Sequence, residues 1–270
     1  MNILKSGEFF GSHNDTFYFN DVTITDTEYT LNKVDWHYHE NAYFTYILKG
    51  KLFEANKKNT YYLEQGSLLF HNWQDAHYNI KPPIPTHGFH IEIKASWLKK
   101  YGLVSDNLEG SIHLKNPIIK SLINKIFWES KLKDKHSQLS IEMLLLEIFC
   151  NIEKEVVLKY ENQPLWVSTL KTILFEEPQI CYSLTKLAEY LDIHPVHLSR
   201  GFSKYFHTTL GQYLRLQKLN KAVLLINDNK SSLTDIAHEV GFYDQSHFIS
   251  NFKKIYSLSP LKFKKQLTAC

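Results

Sequence analysis

The sequence SLTKLA at residues 183–188 returns 49 residues later as SLTDIA at residues 232–237. With one residue inserted after that point, the similarity continues, and His197-Leu198 aligns with His247-Phe248. Each copy begins with a serine suited to cap a helix and continues with apolar residues spaced along one helix face. A tight turn and a second amphipathic stretch follow. Because a repeated unit fixes the architecture, the pattern predicts two helix-turn-helix units in an all-α domain.

The turn and the second helix of each unit carry their own signals. Gly241 suits a backbone with positive φ, whereas Asp192 in the corresponding turn tolerates it less well. Pro195 occupies the favoured first position of one second helix, and Asp244 opens the other. Small polar residues face outward from both helices. A helical hairpin repeat without any DNA contact is the alternative that this pattern alone leaves open.

These residues resemble the AraC/XylS family of bacterial regulators over about residues 165–265. The similarity is carried by Asp235-Ile236-Ala237, Gly241-Phe242, DQSHF at 244–248, FKK at 252–254 and Ser259-Pro260. The chain departs from the family at Asp192, His207 and Ser257, where glycine is usual. The resemblance implies two recognition helices that enter successive major grooves about 34 Å apart.

The resemblance and the residue types together predict roles on DNA. Arg200 is suited to grip guanine with two hydrogen bonds, and Gln245 is suited to pair with adenine. Base contacts are expected from the outward faces of the two recognition helices, namely Val196, His197, Ser199, Arg200, Ser203, Gln245, Ser246, His247 and Ser250. Phosphate contacts are expected from Lys186, Lys204, Arg215, Lys253, Lys254, Lys262 and Lys264.

Charge and composition agree with a double-stranded DNA partner. Residues 164–270 hold 13 basic and 8 acidic residues, whereas residues 1–163 hold 18 and 20, so the basic excess lies in the helix-turn-helix part. The longest apolar run, residues 143–150, is too short to span a bilayer, and the N-terminus lacks a signal-peptide pattern. Three widely spaced cysteines form neither a zinc pattern nor a disulfide framework, which favours the cytoplasm.

The first hundred residues alternate between short apolar runs and turn signals, which predicts an antiparallel sandwich or barrel. Strands are expected at residues 17–25, 43–48 and 68–70, and a loop at the proline-rich residues 81–85. Helical spacing then predicts helices over about 117–133 and 138–159. The expected fold is therefore α+β and multidomain: a cupin-like β-barrel at 1–100, a helical linker and dimerisation region at 101–163, and an all-α DNA-binding domain at 164–270.

The N-terminal part resembles a cupin barrel, through His37-Tyr38-His39, Gly50, EQG at 64–66 and His77. Metal-binding cupins add a glutamate ligand, but Tyr43 and Phe44 stand where it should fall. Three histidines could still hold zinc with an open position. The missing carboxylate instead favours histidines that hydrogen-bond within a pocket, so neither a metal nor another cofactor is expected. The resemblance implies a sensor whose effector contacts His37, His39, Tyr43, Tyr46 and His77.

The leading hypothesis is a sequence-specific, effector-responsive transcription regulator without enzymatic activity. It acts as a homodimer, and RNA polymerase is a candidate partner. A metal-dependent cupin enzyme with an accessory DNA-binding domain is the first alternative, and an architectural nucleic-acid binder is another. A DNA-repair methyltransferase would need a cysteine cluster. The identity of the effector, the target genes, and the choice between activator and repressor stay open.

Overall fold

The computed structural model describes residues 2–72, 75–103, 110–160, 163–176 and 183–268. In chain order the strands are β1 (Asn2–Leu4), β2 (Ser12–Phe19), β3 (Val22–Glu28), β4 (Lys33–His39), β5 (Ala42–Lys49), β6 (Lys51–Asn56), β7 (Thr60–Glu64), β8 (Leu68–His71), β9 (His77–Ile80), β10 (His87–Ile93) and β11 (Ser111–His113). The helices are α1 (Ala95–Lys100), α2 (Pro117–Leu132), α3 (Ser137–Tyr160), α4 (Leu165–Glu176), α5 (Leu184–Tyr190), α6 (Pro195–Phe206), α7 (Leu210–Asp228), α8 (Leu233–Glu239), α9 (Gln245–Tyr256) and α10 (Pro260–Thr268). Within these ranges, every helix is too short or too polar to cross a membrane.

The N-terminal strands form two sheets. One has the order β1-β4-β9-β6-β7 and the other β11-β8-β5-β10-β3-β2. All pairs are antiparallel except β1 with β4, which run parallel. The prediction of a sheet-rich N-terminal domain is confirmed. The described strands nevertheless form two separate sheets, so the expected closed barrel is corrected to a sandwich-like pair of sheets.

One predicted strand is interrupted by a turn. Residues 17–25 were expected to be continuous, but β2 ends at Phe19 and β3 begins at Val22. Asn20 has a φ of 45°, in the left-handed region that asparagine tolerates better than most residues. The two strands therefore form a hairpin. The strand at 43–48 and the turn at Gly50, where φ is 82°, are confirmed.

Helices α2 and α3 cover the outer face of the six-stranded sheet. Both predicted helices are confirmed to within one residue at each end. Their buried side chains, such as Phe127 and Phe149, share one apolar core with Phe44, Phe89 and Ile91 of the sheet. Burial of these large side chains contributes about 1.5–3 kcal/mol each. Strand β11 returns the chain to this sheet, within a region expected to be helical. The predicted domain boundaries stay predictions.

An ionic cluster also attaches α2 to the sheet. The carboxylate of Asp26 on β3 accepts hydrogen bonds from His87 on β10 and from Lys131 on α2. Burial alone would raise the pKa of Asp26, but its bonds and charge interactions with His87 and Lys131 outweigh that effect. The pKa is lowered to about 2, so this carboxylate stabilises the fold in its ionised form.

The C-terminal helices form two small cores. One joins α4, α5 and α6 around Leu170, Leu198 and Phe202. The other joins α7 to α10 around Phe248 and Phe252. Each core therefore contains one predicted helix-turn-helix unit. Helix α7 connects the two units along the chain and packs in the second core.

The second core is attached to the N-terminal half by a buried polar network. Asn124 of α2 donates through Nδ2 to Oδ1 of Asn220 on α7, at 3.0 Å. Tyr256 of α9 donates to the same oxygen at 3.2 Å, and Asn220 donates through Nδ2 to the carbonyl of Pro117 at 2.9 Å. Because buried polar groups require partners, these bonds fix the register of the two halves.

Candidate DNA interface and effector cavity

Local sequence signals begin both short first helices. Ser183 caps α5 by accepting from the backbone N–H of Lys186, and Ser232 caps α8 by accepting from that of Asp235. Asp235 in turn accepts from the N–H of Ser232, which completes a capping box. The two predicted caps are confirmed.

The turn inside each helix-turn-helix unit and the end of each recognition helix contain a residue in the left-handed conformation. The sequence left this open, because three of these four residues are not glycine. Gly241 has a φ of 79° and Asp192 a φ of 51° at the corresponding turn. After the recognition helices α6 and α9, His207 and Ser257 have φ values of 54° and 60°. Residues other than glycine are strained in this region. Asp192, His207 and Ser257, which stand where the family usually has glycine, therefore adopt the left-handed backbone at some energetic cost.

Both recognition helices start from a defined cap. Pro195 is the first residue of α6, preceded by His194, whose Nδ1 accepts from the N–H of Val196 at 3.2 Å. Asp244 precedes α9 and accepts from the N–H of His247 at 2.7 Å. The buried faces place Leu198 inside one core and Phe248 inside the other. These contacts fix which side of each helix points outward.

The residues predicted to contact DNA lie on those outward sides. Gln245 is half-buried, and the other predicted base readers are exposed: Val196, His197, Ser199, Arg200, Ser203, Ser246, His247 and Ser250. The predicted phosphate contacts Lys186, Lys204, Arg215, Lys253, Lys254 and Lys262 are exposed as well, and Lys264 is half-buried. The structure therefore brings these side chains to accessible helix faces, while their individual roles stay predictions.

Trp166 of α4 is a supporting residue that the sequence did not indicate. Its ring packs against Gly201 of α6, where an added Cβ would lie 2.6 Å from the ring atom Cζ2. The ring also contacts His197 edge-to-face, with the centroids 5.9 Å apart. The lack of a side chain at Gly201 thus allows α4 to brace the first recognition helix. The need for glycine at position 201 depends on the tertiary contact with Trp166. The sequence repeat therefore does not predict it.

A cavity of about 30 Å³ lies between the two sheets. Its polar lining includes His37, His39 and His77, whose ring nitrogens lie within 4.8 Å of one another. Tyr43 also lines it and bonds to Nε2 of His77 at 3.1 Å. At roughly 10–15 Å³ of such volume for each water molecule, the cavity has room for about two.

Tyr46, predicted to contact the effector, does not line the cavity. Successive side chains of a strand point to opposite faces, so Tyr43 and Thr45 face the cavity from β5 while Tyr46 points into the core beside α2. Its hydroxyl lies next to Asn124. The assignment of Tyr46 is corrected to a core residue.

Burial keeps the cavity histidines neutral. Burial first, and then repulsion from His77, lowers the pKa of His37 to about 4. Burial likewise lowers the pKa of His39 and of His77, and it lowers that of His90 to about 3. A neutral imidazole offers one lone pair and one N–H donor. The cavity therefore presents hydrogen-bonding groups or metal ligands rather than fixed positive imidazolium charges.

Several residues of this site were missed from the sequence. Phe9 stacks on His90 with the ring centroids 3.9 Å apart, and Phe10 lies against His37 at 5.0 Å. Both phenylalanines line the cavity and come from the segment between β1 and β2. Burial raises the pKa of Glu54, which also lines the cavity, to about 8. The alternation of side chains along β6 and β10 predicts which face of its strand Glu54 or His90 lies on. Only the order of the strands in the sheets shows that these faces meet at one cavity.

Comparisons with known proteins agree with this architecture in the C-terminal part. The family model of a helix-turn-helix domain matches residues 187–266. An uncharacterized HTH-type transcriptional regulator of Haemophilus influenzae is 26% identical over 43% of this chain and 39% of its own length. The HTH-type transcriptional activator RhaR of Mannheimia succiniciproducens is 26% identical over 55% and 54%.

Among solved structures, the chain is similar to the C-terminal domain of the two-component response regulator yesN from Fusobacterium nucleatum. The two are 32% identical, and the match covers 36% of this chain and 95% of that domain, with a TM-score of 0.34. The chain spans about half or less of the length of the first regulators it matches.

Proposed function

We propose that this chain is a sequence-specific transcription regulator of the AraC/XylS type that responds to an effector, and its C-terminal helix-turn-helix domain and its similarity to HTH-type regulators support this. The observation that carries the proposal is the pair of recognition helices. Each is capped, packed on one face and open on the other, where polar and basic side chains stand free of the core. Such a face is suited to enter a major groove.

The two helices differ in what they offer to DNA. Helix α6 exposes Arg200, whose guanidinium can bond to O6 and N7 of a guanine. Helix α9 has Ser250 at the position equivalent to Arg200, and its best base reader, Gln245, is half-buried. Lys253 and Lys254 are exposed on the last turn of α9. We infer that α6 supplies more of the sequence discrimination and that α9 contributes more phosphate binding.

The cavity between the sheets is the proposed effector site. Its neutral histidines and the hydroxyl of Tyr43 supply directional hydrogen bonds, which suit a small polar ligand. An organic effector needs more space than about 30 Å³, so it must displace Phe9 and Phe10 from the cavity. No catalytic role is proposed, since the relatives named above are regulators.

We further infer that the regulator acts as a homodimer in the cytoplasm, with RNA polymerase as a candidate partner. Support for the dimer comes from α3, on which Leu139 and Met143 lie one turn apart and are 61% and 63% exposed. Large apolar side chains grouped on one helix face favour association over a solvated surface.

The decisive experiment selects binding sites for the full-length protein from a randomised duplex pool at near-physiological salt. We expect enrichment of two sequence blocks about one helical turn, or roughly 34 Å, apart. Enrichment of a single block would assign sequence reading to one helix only. Binding without enrichment, falling steeply with salt in the presence and absence of candidate effectors, would contradict the proposal and favour a nonspecific nucleic-acid binder.

A further inference from the structure

The outer face of the five-stranded sheet carries a row of aromatic side chains. The row crosses the neighbouring strands β4, β9, β6 and β7, which contribute one ring each: Trp36, Tyr78, Phe53 and Tyr62. The ring centroid of Tyr78 lies 5.1 Å from that of Trp36 and 6.0 Å from that of Phe53. Phe53 in turn lies 5.2 Å from Tyr62. The four rings therefore form one connected patch.

The register of the strands shows that this row points away from the cavity. Ile80, Phe53 and Tyr62 stand opposite one another across β9, β6 and β7. Asn79 and Glu54, their neighbours along the strands, line the cavity, and successive side chains of a strand point to opposite faces. Helices α2 and α3 pack on the other sheet. They therefore leave the aromatic row open.

The patch is apolar and open to solvent at both of its ends. Tyr62 is 80% exposed at one end and Trp36 39% at the other. Two isoleucines extend the patch, Ile80 at 42% and Ile3 of β1 at 55% exposure. Apolar residues scattered singly over a surface need no explanation, but a contiguous apolar patch marks an interaction site.

The charges on this face favour a second copy of the chain as the partner. Lys33 pairs with Asp35 at 2.8 Å on β4, and Lys51 stands opposite Glu64 in the register of β6 and β7. Two bases and two acids thus lie on the strands of this face, and their charges balance. Two copies can therefore bring the same face together without repulsion. A nucleic acid or an anionic membrane binds a net basic surface instead.

We propose that the outer face of the five-stranded sheet is a self-association surface, which packs against the same face of a second copy of this chain. Neighbouring rings of the row meet at angles of 60°, 50° and 64°, so they form ridges rather than a flat platform. Such ridges suit two sheets that pack face to face, because their side chains interdigitate. The surface lies on the other side of the N-terminal part from α3. It is therefore separate from the helix face that carries Leu139 and Met143.

The size of the face predicts a weak contact. Five strands about 4.8 Å apart, each about five residues long, cover roughly 24 by 17 Å, or about 400 Å² of plane. A standard interface takes about 800 Å² of accessible surface from each partner, and interfaces of that size already extend to micromolar affinity. We therefore expect a dissociation constant of about 1–100 µM. Copies on neighbouring DNA sites are held at high effective concentration, so this contact joins them there, a consequence that rests on the proposed function.

Sedimentation equilibrium of the full-length chain over about 1–100 µM tests the proposal. We expect the average mass to at least double across this range. Tyr62→Glu places a carboxylate of each copy in the apolar face and should weaken the association about 10-fold or more. Ile3→Glu, at the other end of the patch, should do the same. Both side chains are exposed, so far-UV circular dichroism should show an unchanged fold.

Tyr18→Glu is the matched control. Tyr18 is 65% exposed on β2, the edge strand of the six-stranded sheet, as Tyr62 is on the edge strand β7 of the other. The variant should keep the wild-type dissociation constant within about 3-fold, a change well below the tenfold effect expected at an interface tyrosine. Met143→Glu alters the exposed face of α3. It should lower the mass at the dilute end of the range and leave the doubling with concentration in place.

A wild-type mass that stays constant across the range would overturn the assignment, and so would equal weakening by Tyr18→Glu and Tyr62→Glu. Loss of the doubling in Met143→Glu would assign the association to α3 instead. Binding of a non-associating wild type to vesicles of phosphatidylcholine and phosphatidylserine, abolished by Tyr62→Glu, would assign the face to a lipid surface. Sedimentation uses no DNA, so these results are independent of whether the protein reads a DNA sequence.

Discussion

Replacing Asn220 by leucine should uncouple the two halves of the molecule. The carboxamide of Asn220 takes part in three buried hydrogen bonds, two accepted from Asn124 and Tyr256 and one donated to the carbonyl of Pro117. Leucine has a similar volume but makes none of these bonds. Asn124 then loses its shortest bond and keeps its 3.4 Å contact with Tyr256 and its neighbour Tyr46.

The size of the effect follows from the number of bonds. A buried hydrogen bond contributes about 1 kcal/mol net, and a buried group left without a partner costs about 1–3 kcal/mol. Asn220→Leu should therefore lower the free energy of unfolding of the second core by about 3–4 kcal/mol. Asn251→Leu is the control, since Asn251 is similarly buried but donates within its own helix, to the carbonyl of His247. It should cost about 1 kcal/mol.

The assay is urea unfolding followed by tryptophan fluorescence and far-UV circular dichroism in parallel. Trp128 of α2 stacks on Phe263 of α10, with the ring centroids 6.3 Å apart, so its emission reports on the boundary between the halves. We expect the unfolding transition of Asn220→Leu followed by fluorescence to occur at a different urea concentration from the transition followed by circular dichroism. The reason is that a chain with two cores need not unfold in one step. Coincident transitions and a loss no larger than that of Asn251→Leu would refute the role given to this network.

Four further changes test other parts of the structure. Gly201→Ala should cost about 1–3 kcal/mol by displacing Trp166, and an unchanged thermal midpoint would contradict that contact. Asp26 has a pKa lowered from 3.8 to about 2, so it stabilises the fold above about pH 4 and this contribution is lost as the pH falls toward 2. Asp26→Asn should thus cost about 2 kcal/mol near neutral pH and little at pH 2, as chemical unfolding at both values will show. Ser232→Ala should cost about 1 kcal/mol through loss of the helix cap, measured by urea unfolding. Arg200→Ala should cost about 1–3 kcal/mol on the selected DNA site and relax one base position, whereas an equal loss on every sequence in a binding titration would refute base reading.

The helix-turn-helix part could be predicted in detail because its signals are local. Ser183 and Ser232 cap helices through bonds to residues three positions away, and Leu187 and Ile236 are buried by helical spacing alone. The bracing of α6 by Trp166 is different. It depends on a contact between α4 and α6 that no periodicity within either segment specifies.

The cavity could be predicted only in part, for a similar reason. His37, His39 and His77 were identified from a spaced motif, and the strands bring them together. Glu54 and His90 reach the same cavity through strand order, and Phe9 reaches it through the path of the segment between β1 and β2. A single sequence specifies neither. Tyr46 could have been excluded, because residues three apart on one strand point to opposite faces.

Strand β5 connects the cavity directly to the helix-turn-helix part. Tyr43 and Thr45 of this strand line the cavity, while its alternate residues point into the core. Leu224 of α7 closes that core, and Lys49 at the end of β5 pairs with Asp228 at the end of α7, with 2.9 Å between Nζ and Oδ1. Because close-packed interiors transmit strain rather than absorb it, we expect an occupant that shifts β5 to shift α7 as well, the helix that joins the two helix-turn-helix units.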